Sequence, residues 1–246
     1  MAEPKLYRAL ANDRRFRLFE LSYQETNLLV GIGRPHWQSD LALRAGRFLA
    51  GLRANFDSYL AGHPVFLSSW EPLAARADAP ALAVAMAAAA RKAGVGPMAA
   101  VAGAFAAAVR DFLLGECAVA EVFVENGGDC ALTVQADTVV AIQAAAGVES
   151  IHQGFVLPAG SWGCASSSGR LGHSRSLGSA DVCTVVCREA AVADALATAI
   201  ANQLGCAADV QPLIEKYRSD PDICGLFVAA GGIAACCGSL PLCPLG

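Results

Sequence analysis

The chain has 246 residues, which is enough for one large domain or two small ones with a hydrophobic core of their own. Apolar residues make up 55% of the chain and charged residues 16%, which excludes a disordered protein, and 51 alanines contribute to the mean hydropathy of +0.43. With 18 basic and 22 acidic residues, the net charge of −4 argues against nucleic acid or an anionic membrane surface as a partner.

No apolar stretch precedes the charged segment at Arg14-Arg15, so we expect no signal peptide and a cytoplasmic protein. On that expectation the ten cysteines are reduced thiols that serve as small hydrophobic residues. The most apolar stretch, from Ala79 to Val109, is interrupted by charged residues, glycines and a proline. This pattern predicts a buried helical hairpin, with no membrane span.

The first half of the chain is predicted to form a hairpin followed by three helices. Apolar residues recur at three- and four-residue spacing after Ser39, which is expected to cap the first helix. The predicted elements are strands 15–21 and 27–32, a helix from Leu41 to Tyr59, and helices at about 79–93 and 97–114.

Strands dominate the second half. The predicted elements are strands 120–125, 131–135, 138–145, 151–157 and one at Val182, a loop at 159–178, helices 190–204 and 211–218, and a hairpin through Gly231-Gly232. Because helices and strands occur in blocks, the pattern favours an α+β fold over a doubly wound sheet. With no internal repeat and no linker, we expect one domain over residues 1–246.

Four segments carry residues that are suited to chemistry. The first, Gly94-Val95-Gly96-Pro97-Met98-Ala99, formally matches the dinucleotide fingerprint, but it follows a predicted helix where that motif needs a strand. Two interpretations of Gly94 and Gly96 stay open. Backbone N–H groups at the start of the next helix can face a phosphate oxygen, or the glycines are a hinge between two packed helices.

The second segment is the pentapeptide Glu125-Asn126-Gly127-Gly128-Asp129 at the end of a predicted strand. Polar side chains around two glycines allow a ligand to approach the backbone closely. A simple hairpin turn is an equally natural interpretation.

The third segment is the predicted glycine- and serine-rich loop. Its hydroxyls, glycine N–H groups and guanidinium groups are what a pyrophosphate requires, and an imidazole there can accept or deliver a proton. The alternative is a surface loop without a site. The residues singled out are Cys164, Ser166, Ser167, Ser168, Gly169, Arg170, His173 and Arg175.

The fourth segment places Asp194 and Thr198 four residues apart on one helix face. A carboxylate and a hydroxyl suit a hard cation such as Mg²⁺, which also binds substrate phosphate oxygens. The alternative is structural: Asp194 interacts with the helix dipole, and the Thr198 hydroxyl bonds back to a carbonyl.

Taken in chain order, five motifs resemble the ApbE-like superfamily. They are Gly-Val-Gly-Pro-Met-Ala-Ala-Val-Ala-Gly from Gly94, Val-Glu-Asn-Gly-Gly-Asp from Val124, Ser-Ser-Gly-x-x-Gly-His-Ser from Ser167, Ala-Asp-x-x-Thr-Val-Val from Ala180 and Ala-Asp-Ala-Leu-Ala-Thr-Ala-Ile from Ala193. They are most similar to the short, cytoplasmic, uncharacterised branch of that superfamily. The resemblance implies a T-fold-like domain of mixed sheet layers and packed Ala-rich helices.

The resemblance also implies roles for these residues. Characterised members transfer FMN from FAD to a protein threonine with the help of Mg²⁺, and some hydrolyse FAD. By motif, the metal ligands would be Asp194 and Thr198, with a backbone carbonyl near Gly94 to Met98. The flavin would lie beside Gly127, Gly128 and Asp129, the turn Ser166 to Gly169 would meet the pyrophosphate, and His173 would be the catalytic histidine.

Three functions stay open at this point, because the residues after His173 depart from the transferase pattern. The first is a Mg²⁺-dependent enzyme that acts on FAD, with a protein as the acceptor if FMN is transferred. The second is a flavin- or nucleotide-binding module without catalysis. The third, which the resemblance suggests and the cysteines permit, is a sulfur-handling step in anaerobic homocysteine synthesis that uses Cys164. Close-packed glycine-rich surfaces also allow a homo-oligomer.

Overall fold

The computed structural model describes residues 14–142, 153–167 and 181–245. Within these ranges the chain forms two antiparallel sheets and six α-helices, which confirms the α+β fold class. The strands are β1 (Phe16–Tyr23), β2 (Thr26–Gly33), β3 (Val122–Asn126), β4 (Asp129–Val134), β5 (Thr138–Ala141), β6 (Gln153–Leu157), β7 (Gly160–Ser167), β8 (Val182–Cys187), β9 (Gly225–Ala230), β10 (Ile233–Gly238) and β11 (Leu242–Pro244). The helices are α1 (Leu41–Gly62), α2 (Pro64–Ser68), α3 (Ala81–Ala93), α4 (Val101–Glu116), α5 (Ala190–Ala201) and α6 (Val210–Tyr217).

The larger sheet has eight strands in the order β1-β2-β3-β4-β7-β8-β9-β10, and β11-β6-β5 form the smaller sheet. One core cluster joins the helices to one face of the large sheet. A second cluster joins its other face to the small sheet, around Phe155, Leu157 and Trp162. Apolar side chains therefore cover the large sheet on both faces, which sets its register because a shift by one residue would exchange the two faces.

Three hairpins of the large sheet turn on two residues each. Gly127 and Gly128 join β3 to β4 with φ values of 68° and 109°, and Gly231 and Gly232 join β9 to β10 with φ values of 56° and 81°. Positive φ at both turn residues matches the twist of the strands and favours glycine. The predicted hairpins at β1–β2 and at Gly231-Gly232 are confirmed.

The predicted loop at 159–178 is wrong over its first half, because β7 occupies that half. Trp162 and Cys164 pack in the second core cluster, while Ala165 packs on the helix side. Gly163 lies against α5: a Cβ there would be 2.3 Å from the Ala190 Cα. Gly163 allows close packing here, although the glycine- and serine-rich composition of the segment is typical of a flexible loop.

Two helix starts also differ from prediction. The N-cap of α1 is Asp40, one residue after the predicted cap Ser39. Pro97 begins a short 3-10 segment, Pro97–Ala100, and α4 starts only at Val101. By length and composition the stretch Pro97–Glu116 also qualifies as a membrane span, but this is weak evidence because α4 packs against α5, β3 and β4.

We predict that Gly163→Ala lowers the free energy of unfolding by about 1–3 kcal/mol, because the new methyl group overlaps the backbone of α5. Chemical denaturation with circular dichroism measures the change. Gly51→Ala on α1 is the matched control: its Cβ meets no atom within 4 Å among the described residues, and alanine there is expected to add about 0.5–1 kcal/mol. Equal effects of the two substitutions would contradict the packing role of Gly163.

Candidate functional site

Asp194 reaches from α5 to the first turn of α4. Its Oδ2 accepts a hydrogen bond of 2.9 Å from the Gly103 N–H, and its side chain is buried, with 9% exposed. A Cβ on Gly103 would lie 2.3 Å from the Ala190 carbonyl oxygen, so only glycine lets α4 and α5 approach this closely. The first N–H groups of a helix have no carbonyl partner within that helix. Here the Asp194 carboxylate, from another helix, provides the acceptor for the Gly103 N–H.

Asp129 and Glu125 flank the glycine turn between β3 and β4. The Asp129 Oδ1 accepts a bond of 3.3 Å from the Ser166 N–H of β7. The Glu125 Oε1 accepts a bond of 2.7 Å from the Gly128 N–H, and Glu125 is only 5% exposed. Two carboxylates therefore lie beside a turn whose glycines adopt positive φ.

The charges of Asp194 and Glu125 act on Asp129. Burial, the charge of Asp194 and the charge of Glu125 raise the pKa of Asp129 well above its usual range. Burial raises the pKa of Asp194 to about 7, although the N–H groups of Gly103 and Ala102 oppose the shift. Burial therefore disfavours the charged forms of Asp129 and Asp194, and a bound cation would stabilise those charged forms.

Asn126 links the same turn to α4. Its Nδ2 donates a hydrogen bond of 3.2 Å to the Ala102 carbonyl oxygen, next to the Gly103 N–H that Asp194 accepts. The structure thus brings together Asn126, Asp129 and Asp194, which the sequence singled out in separate segments.

Sequence reasoning missed Thr184 on β8. Its side chain is fully buried, and its hydroxyl lies 2.8 Å from the Ser166 hydroxyl. The Ser166 N–H donates to the Asp129 carboxylate. The contact with Thr184 therefore helps to position Ser166 for this hydrogen bond. A hydroxyl in the apolar run Val-Cys-Thr-Val-Val is the only sequence signal for this role.

Cys164 is a poor nucleophile in this environment. It is 4% exposed and packs in the second core cluster, on the sheet face opposite to α5. Burial and the charge of Asp129 raise the pKa of its thiol to about 12, so the reactive thiolate is rare at neutral pH. These features argue against the sulfur-handling role that was considered from the sequence.

Gly94 and Gly96 have packing roles. Gly94 ends α3 in the left-handed conformation, with φ of 71°. A Cβ on Gly96 would lie 1.9 Å from the Ser69 carbonyl oxygen, so that position has no room for a side chain. Both glycines thus meet backbone requirements of the junction between two helices, and the contact of N–H groups there with a phosphate stays a prediction.

The remaining predicted residues divide into two groups. Thr198 is half-buried on α5, one turn after Asp194, and Ser167 is the half-buried last residue of β7. The other five lie outside the described residues: Ser168, Gly169, Arg170, His173 and Arg175. In the sequence these residues follow Ser167, which is next to Ser166, the residue whose N–H donates to Asp129.

The donor chemistry fits a hard cation better than a soft one. Carboxylate and hydroxyl oxygens of Asp194 and Thr198 are the ligands that Mg²⁺ prefers. Within residues 14–142, 153–167 and 181–245, no group of three His, Cys, Asp or Glu side chains is arranged to hold a metal. A cation here would therefore take some of its oxygens from water, backbone or a phosphate.

We predict that the protein without ligands loses stability as the pH rises from about 4 to about 7. The pKa of Asp194 is raised from 3.8 to about 7, so the folded state binds more protons than the unfolded state in this window, and deprotonation then favours unfolding. Thermal melts at several pH values measure the effect, and each kcal/mol corresponds to about 2–4 °C for a chain of this size.

Asp194→Asn should flatten this pH dependence, since the amide oxygen can still accept the Gly103 N–H but carries no charge. Asp181→Asn is the matched control, because Asp181 is equally buried and accepts a 2.7 Å bond from the Gly231 N–H. A flat profile of the unsubstituted protein, or equal flattening by both variants, would contradict the assignment.

Comparison with known proteins supports a single family. The family model described as AbpE bacteria matches residues 8–230. A UPF0280 protein of Methanococcus maripaludis is 36% identical over 229 residues, which cover 90% of each chain. Among solved structures, the apo flavinyl transferase ApbE of Pseudomonas stutzeri matches with a TM-score of 0.52 and 14% identity, covering 90% of this chain and 93% of that one.

The ApbE protein of Thermotoga maritima matches with a TM-score of 0.55 and 12% identity, over 92% of this chain and 96% of that one. At such low identity these structures show the fold alone. The sequence relatives and the family model cover most of the chain, and together with the fold they confirm the resemblance that the five motifs suggested.

Proposed function

We propose that this chain, which belongs to the ApbE-like superfamily and to its UPF0280 branch, binds a flavin nucleotide with the help of Mg²⁺. The observation that carries the proposal is the pair formed by the buried Asp194 and the half-buried Asp129, whose negative charges repel each other near the start of α4. Burying charges of one sign costs free energy unless a partner of opposite sign is bound.

The cation would be held by Asp194 and Thr198 with a backbone carbonyl near Gly94 to Met98. When bound, Mg²⁺ supplies charge neutralisation for the oxygens of a pyrophosphate and lowers the barrier to attack on phosphorus. The chain's own contribution is positioning. The Gly103 N–H donates to one oxygen of Asp194 and so fixes the orientation in which the carboxylate would bind a cation.

The flavin would lie beside the turn of Gly127 and Gly128. Among the described residues, no atom lies within 4 Å of where a Cβ would stand at either glycine. A flat ring can therefore approach the turn without displacing a side chain. Asn126 holds the turn to α4 through Ala102, so flavin and pyrophosphate would be positioned by connected elements.

The segment with Ser168, Gly169, Arg170, His173 and Arg175 would complete the site. The guanidinium groups would pair with phosphate oxygens, and His173 would remove a proton from the attacking hydroxyl. Oxygen attack on the FMN phosphorus forms a new P–O bond and releases AMP. Water as the nucleophile gives FMN, and a protein hydroxyl gives a flavinylated protein.

All ten cysteines are free thiols, which supports our proposal of a cytoplasmic location.

The binding step is tested by thermal shift and calorimetry with FAD in the presence and absence of Mg²⁺. We expect Mg²⁺ to strengthen FAD binding and Asp194→Asn to weaken the Mg²⁺-dependent part by at least about tenfold, since even indirect support of a metal ligand is worth that much. Asp181→Asn should bind as the unsubstituted protein does. FAD binding that ignores both Mg²⁺ and Asp194→Asn would refute the metal site.

The chemical step is tested by following AMP release from FAD. We expect Mg²⁺-dependent AMP release that His173→Ala reduces at least about a hundredfold while leaving FAD affinity within a factor of about two. Cys164→Ser should retain activity, because its thiol stays protonated in the core. Binding of FAD without AMP release would identify a flavin-binding module that lacks catalysis.

A further inference from the structure

The strand β10 forms one edge of the large sheet. It pairs with β9 on one side, and no strand lies beyond it within the part of the chain that the structure describes. The helix α6 covers one face of the strand, where the Cys237 thiol contacts the Ile214 carbonyl oxygen. Four of the six residues of β10 are nevertheless exposed: Ile233, Ala234, Cys236 and Gly238. None of them belongs to the proposed flavin site, so the role of this edge does not depend on that function.

Alternate residues of β10 direct their backbone N–H and C=O groups outward, away from β9. Ile233 directly follows the two-residue glycine turn, and the residues that flank such a turn bond to each other. The Ser239 N–H, six residues further, donates to the Cys224 carbonyl oxygen at 2.9 Å, which agrees with this alternation. The backbone groups of Ala234 and Cys236 therefore lie at the open edge.

Among the described residues, this edge has none of the features that protect an edge strand. Charged side chains, a proline, a bulge or a covering element prevent two edges from pairing. From Ile233 to Gly238 the sequence contains neither a charge nor a proline, and the register with β9 has no bulge. The opposite edge, β1, carries the exposed charges of Arg17 and Glu20. Of the two edges, β10 is thus the one that offers an uncharged strand to a partner.

We propose that two copies of this chain pair antiparallel through β10, so that their large sheets join around a two-fold axis. Identical antiparallel strands are complementary to each other, because each outward N–H of one copy meets an outward C=O of the other. Since β10 carries no charge, this pairing brings no like charges together. Pairing of β10 with β1 of another copy would leave one free edge on each copy and produce an open filament, whereas the two-fold pair is closed.

Analytical ultracentrifugation of the whole chain tests the dimer. A strand of six residues gives a small interface, so we expect the dimer to dissociate between about 1 and about 100 µM protein. Ala234→Pro removes an outward N–H from each copy but no hydrogen bond to β9, and should weaken the dimer about tenfold or more. Cys236→Lys should also weaken it, because two lysines would face each other. Val84→Lys is the control: it places the same charge on an exposed apolar residue of α3 and should leave the dimer unchanged.

Cysteine cross-linking locates the contact without a change in the strand. When β10 pairs along its full length, outward residues face outward residues, and the Cys236 side chains of the two copies lie within about 10 Å of each other. A short bismaleimide should therefore link two copies. Cys236→Ser should abolish this product, and Cys206→Ser, which removes the other exposed cysteine, should retain it.

The proposal is overturned if the chain stays monomeric at these concentrations or forms species larger than a dimer. It is also overturned if the dimer persists unweakened in both Ala234→Pro and Cys236→Lys, or if the cross-linked product survives Cys236→Ser. Circular dichroism checks that each variant is folded. If a variant of the strand unfolds, the cross-link and its loss in Cys236→Ser decide the outcome.

Discussion

The first turn of α5 is held between two glycines, and this close packing positions the candidate site. Gly103 of α4 and Gly163 of β7 both face Ala190, and a methyl group on either glycine would lie 2.3 Å from an atom of that residue. Alanines fill most of the buried surface of α5. The helix can therefore enter deeply between α4 and the large sheet, and Asp194, one turn further along, arrives at the start of α4. The seven alanines of α5 serve this arrangement.

Close packing also explains the electrostatics of the site. Because α5 excludes water from its neighbours, Asp194 and Asp129 lose hydration and their pKa values rise. Hydrogen bonds from Gly103 and Ser166 compensate for part of the lost hydration. A positive ligand would compensate for more, and the same packing that destabilises the empty site strengthens its attraction for a cation. Stability and binding are thus opposed here, as is common where function requires buried charge.

The sequence predicted the local features of this structure well and the long-range ones poorly. The spacing of apolar residues was enough to predict α5, and the two glycines were enough to predict the hairpin at Gly231-Gly232. Both elements depend on residues that are close in the sequence. The strand β7 was missed because Gly163 resembles a loop residue until α5 is placed against it.

For the site, sequence patterns found Asn126, Asp129 and Asp194, but they did not predict that one helix terminus joins the three. They also missed Thr184, because a buried hydroxyl pair depends on how β7 and β8 are aligned. Composition alone predicted that Cys164 lies in an active loop. Side chains alternate between the two faces of a strand, and the side chain of Cys164 on β7 packs in the second core cluster.

A purely structural role for Asp194 does not account for the charges around it. Capping the start of α4 requires one acceptor oxygen, and the amide oxygen of an asparagine would provide it without the cost of a buried charge. The cost grows because the charges of Asp194 and Glu125 both raise the pKa of the nearby Asp129. Selection for stability alone would remove at least one of these three carboxyls, since each replacement by an amide keeps a hydrogen-bond acceptor in place. Three neighbouring acids, of which Asp194 and Glu125 are buried and Asp129 is half-buried, are therefore better explained by a ligand of positive charge that shares their oxygens.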